Sequence, residues 1–196
     1  MKHFCLALLF VFIATADAAA QGSCVVPGRS HFQIHVGTGG LFGSFAHDHL
    51  IEAQKIDGCA TIDTTDLAHS SVKLTFSDLR VLDPKESAKD RAEVQRTMDT
   101  EVLRISEFPR ITFESSSVEN LPSANQLRVR GNLTIRGKTQ PIIVPLTLQK
   151  QEDGSYRAVG KYSFKQTAFG IKPISLAGGT VKVKDELQTN FELFLK

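Results

Sequence analysis

The chain contains no tryptophan, only two tyrosines (Tyr156 and Tyr162) and only three cysteines. Beyond its first twenty residues no stretch approaches the roughly 20 apolar residues that a membrane-spanning helix needs, which excludes a helical anchor in the body of the chain. Net charge is almost absent too: 23 Lys and Arg stand against 21 Asp and Glu, a formal +2. So weak a field leaves no electrostatic footprint for nucleic acid, and no nucleic-acid partner is expected. Without a CxxC spacing, a redox-active thiol pair is not expected either. The sequence also lacks a G-x-S-x-G elbow, an H-E-x-x-H helix and a P-loop, and the glycines of GTGGLFG read as turn residues.

What is present begins with MKHFCLALLFVFIATADAAA, a basic start, an apolar core from Phe4 to Ala14 and a small-residue end. This is the pattern of a secretory signal peptide over residues 1–20, cut after Ala20. It implies a periplasmic or secreted protein whose single domain occupies residues 21–196. A chain of that size buries roughly 70% of its unfolded surface, enough for one real core. Cys24 and Cys59 are the two thiols of that domain. Export makes a bridge between them reasonable, and closing so long a loop stabilises by about 4 kcal/mol. The alternative is one buried thiol and one near the terminus. Cys24 in QGSC also sits where an exported lipoprotein is acylated, although Gln21 stands where such signals place a branched aliphatic residue.

Period-two alternation recurs from there on. QLRVRGNLTIRG sets Leu127, Val129, Leu133 and Ile135 on one face and Arg128, Arg130, Asn132, Thr134 and Arg136 on the other. SHFQIHV, SVKLTF, RITFES, QPIIVPLTLQK, SYRAVGKYSFK and ELQTNFELFLK repeat the signature, separated by turn-formers such as EDGS. Many short strands at hairpin spacing predict an all-β protein, an antiparallel barrel of about eight strands. Pro145 predicts an edge or a bulge, because proline cannot donate to a ladder. One segment breaks the rhythm: DPKESAKDRAEVQRTMDTEVLR, with Asp83 as N-cap, Pro84 first in the helix and Glu86 three past the cap, predicts a helix. It carries few large apolar residues and is expected to lie against one barrel opening. Thirteen phenylalanines, three of them in the first twenty residues, supply the aromatic core. A barrel of this size is either filled by side chains or holds one ligand, and composition does not choose.

GNLTIRGKTQPIIVPLTL (131–148) resembles the G-x-L-T-I-x-G-x-T-x-P hairpin of the YceI-like, polyisoprenoid-binding family of exported bacterial proteins. EFPRITFESSS (107–117), FKQTAFGIKP (164–173) and the early GLFGSF turn resemble three further motifs of that family, in the expected order. The resemblance implies an extended lipocalin-like barrel whose apolar tunnel takes up a polyprenyl lipid or the tail of an isoprenoid quinone. It implies neither an enzymatic activity nor a required cofactor. Gln166 stands where the family pattern has arginine, and Gly37 where many members carry histidine. With the alternation, it nominates Phe32, Ile34, Phe45, Leu74, Phe76, Phe113, Leu133, Ile135, Phe164, Phe169 and Ile171 as tunnel lining. Burying ten tail methylenes at about 0.8 kcal/mol each yields a gross ~8 kcal/mol, so the tail can supply the affinity and polar groups select the head.

SFAHDHLIE holds the remaining chemistry. If it is extended, Phe45, His47, His49 and Ile51 share a face. Two imidazoles two residues apart form half a zinc or copper site, the basis of an alternative reading as a secreted metal-binding protein or metal-dependent enzyme. His31, His35 and His69 could complete it only from the same side, and alternation sends His31 and His35 to solvent. The other reading of His47 and His49 is a hydrogen-bonded pair at the barrel rim that contacts a ligand head group. The stripe of Arg128, Arg130, Arg136 and Lys138 is either an ordinary solvated face or a surface for transient membrane contact. Oligomeric state, monomer or homodimer, is left open.

Overall fold

The computed structural model describes residues 21–39, 47–123, 125–176 and 180–196. The expected signal peptide and the nominated Phe45 lie outside these residues.

Among the described residues, ten strands form: β1 Gln21–Cys24, β2 His31–Gly39, β3 His49–Ile62, β4 Ser71–Val81, β5 Ile111–Asn120, β6 Gln126–Ile135, β7 Lys138–Lys150, β8 Tyr156–Lys165, β9 Ser175–Leu176 and β10 Val181–Leu195. All pairings are antiparallel. The order β3-β2-β10-β8-β7-β6-β5-β4, with β4 pairing back onto β3, closes an eight-stranded barrel. Below the end of β2, β1 and the residue after it fill the gap between β3 and β10: Cys24 exchanges backbone hydrogen bonds with Lys196, and Val25 donates to Gly58. Closure gives each of the eight barrel strands a partner on both sides over part of its length.

The alternation explains the wall. In β6, Leu127, Val129, Leu133 and Ile135 are buried, and the arginines between them face outward. β6 turns into β7 through Arg136 (φ 51°) and Gly137 (φ 70°), two successive left-handed residues, the type I′ geometry that matches the twist of a two-residue hairpin. On its β8 side, β7 pairs only from Leu146 onward, so Pro145 sits just beyond that ladder and its missing N–H costs nothing. Gly160 permits a close approach: a Cβ there would lie 2.4 Å from the Phe191 ring and 2.7 Å from the Pro145 carbonyl. Cys24 faces Cys59 in the β1–β3 register and the two are joined by a disulfide.

The helical insert forms, but not where its start signals predict. α1 runs Ala88–Thr97 and is capped by Ser87, whose hydroxyl accepts the Asp90 N–H at 3.1 Å. Asp83 is no cap, and Pro84 and Glu86 precede the helix. The Asp83 carboxylate is turned inward onto β3, where the Leu50 N–H competes successfully for it. The chain then widens into a π-helical turn over Met98–Val102. Gln95 pins α1 to the end of β4, accepting the Val81 N–H at 2.9 Å and donating to the Leu79 carbonyl at 3.0 Å. Ala88 and Ala92 stay exposed; Val94, Met98 and Val102, four residues apart, face the barrel.

Candidate functional site: a divided apolar interior

Among the described residues, two cavities lie inside the barrel. The lower one, of about 140 Å³, is lined by inward residues of β2 to β8 and β10. Its lining is almost wholly apolar, and the hydroxyl of its buried Thr189 is spent on the Tyr162 carbonyl at 2.9 Å. A cavity of this size and apolar lining can take an apolar guest. The upper cavity, of about 410 Å³, lies under α1 and the turn that follows it. It falls within the range of small-molecule sites, roughly 300–1,000 Å³. It reaches the surface where the exposed His47, Asp90 and Glu93 join its lining.

Of the nominated residues, Phe32, Leu74, Phe76, Phe113 and Leu133 line the lower cavity. Ile34, Ile135 and Ile171 line the upper one. Phe164 lines both and is the partition between them. Phe169 lines neither: at 2% exposure it packs edge-on against Phe164, centroids 5.5 Å apart, and supports the partition from behind. Sequence reasoning missed Ile142 and Val144 of β7 and Phe191 and Leu193 of β10, whose alternation signalled them. It also missed Val94, Met98 and Val102, which a helical period of four would have found. Tyr162 adds a half-buried phenol to the lower wall, and burial raises its pKa above the ordinary value.

The polar groups gather in the upper cavity. β3 begins at His49, which lies opposite Val36, and Leu82 runs on beside Leu50, bringing Asp83 against the histidine. His49 Nδ1 is 2.7 Å from Asp83 Oδ2, and Asp83 Oδ1 accepts the Leu50 N–H at 2.7 Å. His47, one residue before the strand, pairs through Nδ1 with Glu86 at 3.4 Å and is 67% exposed. Gln166, standing where the family pattern has arginine, is buried and donates to the Lys184 carbonyl at 2.8 Å. At the rim, the Thr38 N–H donates to Asp48 and holds its carboxyl below the ordinary range. The Thr167 hydroxyl and N–H do the same for Asp185.

The remaining histidines stand elsewhere. His31 and His35 point outward, His31 onto Glu52 at 3.1 Å, and His69 pairs with Asp66 at 3.1 Å in a loop at the lower end. Among the described residues, no three His, Cys, Asp or Glu side chains gather closely enough to hold a metal ion.

Known proteins share this architecture. A UPF0312 protein of Pseudomonas aeruginosa is 30% identical over 143 residues, 70% of this chain and 67% of that protein. Protein YceI of Salmonella arizonae is 28% identical over 138 residues, 67% of this chain and 64% of that relative, so under two thirds of its length is spanned. Among solved structures, Burkholderia cenocepacia BcnA superposes with a TM-score of 0.68 at 20% identity, covering 87% of this chain and 98% of that one. A polyisoprenoid-binding domain from Saccharophagus degradans, implicated in plant cell wall breakdown, superposes with a TM-score of 0.60 at 11% identity, covering 91% and 98%. Residues 25–195, nearly all of the described barrel, match the model of the YceI-like domain, and the chain belongs to that family.

Proposed function

We propose that the protein binds, stores or carries a long isoprenoid lipid or isoprenoid quinone without catalysing a reaction, holding the tail in the two apolar cavities. The observation that carries this reading is the almost wholly apolar lining of the lower cavity. At about 24 cal/mol per Å³, a 140 Å³ void costs on the order of 3 kcal/mol, a large fraction of the stability of an ordinary domain. A guest chain would recover it. Membership of the YceI-like family and the fold shared with a polyisoprenoid-binding domain support the choice of guest.

The upper cavity provides the entry. Lys138, Lys165, Lys172, Lys182 and Lys184 are exposed around the end that Gln166, Ile171, Val181 and Val183 line, a basic sector suited to transient contact with an anionic bilayer. The Cys24–Cys59 disulfide suits the periplasm or another oxidising exported location. Native mass spectrometry of freshly purified protein, followed by organic extraction, tests the reading. A co-purified isoprenoid in one-to-one stoichiometry supports it. Protein that is ligand-free and takes up no added polyprenol or quinone overturns it.

A further inference from the structure

Asp83 and His49 form a unit that tail binding does not require. The Asp83 side chain is 2% exposed, and both of its oxygens are engaged, one by the Leu50 N–H and one by His49. A carboxylate only accepts hydrogen bonds, so the proton of the neutral imidazole sits on Nδ1, and ring orientation and tautomer are both set. Asp83 holds this position at φ 20°, a sparsely populated backbone conformation for a residue with a side chain, of the kind that recurs at functional sites.

The consequence lies on the other side of the ring. His49 is 21% exposed and lines the upper cavity, and its Nε2 has no hydrogen-bond partner among the described residues. In this tautomer Nε2 is an acceptor. His49 shares the cavity lining with Ile34, Val36, Ile51 and Leu187, so it offers one oriented acceptor in a largely apolar wall. An acceptor selects a donor. A quinone carbonyl, an ester or an ether offers none; an alcohol or a hydroquinone offers an O–H. A phosphorylated head is disfavoured for a separate reason, because the other charged side chains lining the cavity, besides the histidines, are the carboxylates Asp90 and Glu93.

We propose that His49, oriented by Asp83, recognises the head of the ligand by accepting a hydrogen bond at Nε2 from the hydroxyl of an isoprenoid alcohol or an isoprenoid hydroquinone. This rests on the tail-binding reading above. Hydroxyl recognition is the shared chemistry, and the two sources are separated by testing each.

The experiment measures affinities of the full chain for two ligand pairs with matched tails: a polyprenol against its methyl ether, and a long-chain hydroquinone against its quinone, the latter under controlled reduction. Wild-type protein is expected to prefer each hydroxyl form by about 3- to 10-fold, the range one neutral hydrogen bond supplies. Preference in one pair alone identifies the source. His49→Leu is expected to abolish the preference in each pair.

Asp83→Asn supplies a check that does not depend on a cavity-changing variant. An asparagine can accept the Leu50 N–H and donate to Nδ1, which moves the imidazole proton to Nε2 and makes that nitrogen a donor. The preference should then vanish between alcohol and ether, whose oxygens both accept, and turn toward the quinone in the other pair. Equal binding of both members of both pairs by wild-type protein overturns the head assignment and leaves tail binding standing. Failure of all four to bind overturns both.

Discussion

The rings of Phe32 and Phe76 meet with their centroids 4.3 Å apart and their planes tilted by 40°. They lie at the level where the lower cavity ends, since the inward neighbours Ile34 and Leu79 already belong to the upper one. With Phe164 opposite, they form a waist.

Phe164→Ala should open this waist. The truncation is expected to destabilise by about 3 kcal/mol and to raise the affinity for long tails relative to short ones. Thermal melts and a comparison of two prenols check it. Phe164→Trp should do the reverse, sparing short chains.

Filling the lower cavity should separate stability from function. Ala158 is buried in its wall. Ala158→Leu is expected to stabilise the ligand-free protein by about 0.5–2 kcal/mol and to weaken long-tail binding. Denaturant unfolding and lipid titration of the same preparation read both effects.

Removing the disulfide should affect folding and leave the cavities intact. The bridged residues are 35 apart in sequence, and Cys24→Ala with Cys59→Ala is expected to cost about 4 kcal/mol. Lipid uptake measured well below the lowered melting temperature should match wild type.

The β7–β8 turn should report acid in a defined window. Asp153 accepts the Ser155 hydroxyl at 2.5 Å and its N–H at 3.0 Å, which lowers the carboxyl from 3.8 to about 2. Because the folded value is lowered, the contribution is fully present above pH 3.8 and is lost as pH falls through about 2. The hydroxyl bond and protection of the Ser155 amide, followed by NMR, should persist down to that window and collapse within it. In Asp153→Asn they should be weak at every pH.

The barrel was legible because its signal is local. Each inward residue of QLRVRGNLTIRG is fixed by the pleat, and the type I′ turn at Arg136-Gly137 follows from two residues. The start of α1 was not, because Asp83 can satisfy either a helix terminus or a strand amide 33 residues away, and only tertiary contact decides for Leu50. The division of the interior was equally hidden. Phe164 and Phe169 look alike in FKQTAFGIKP, yet one faces both cavities and the other packs behind it, a distinction made by the short helical turn that begins at Gln166. His47 and His49 were legible as a pair, but the partner that orients His49 was not.

The central claim is that both cavities together hold one apolar chain. A titration series of polyprenols of increasing length tests it most directly. Affinity is expected to rise with each added isoprene unit while the upper cavity fills, to rise again once the tail passes Phe164, and then to level off. Affinity independent of length, or saturation with a tail too short to reach Phe164, would contradict the account.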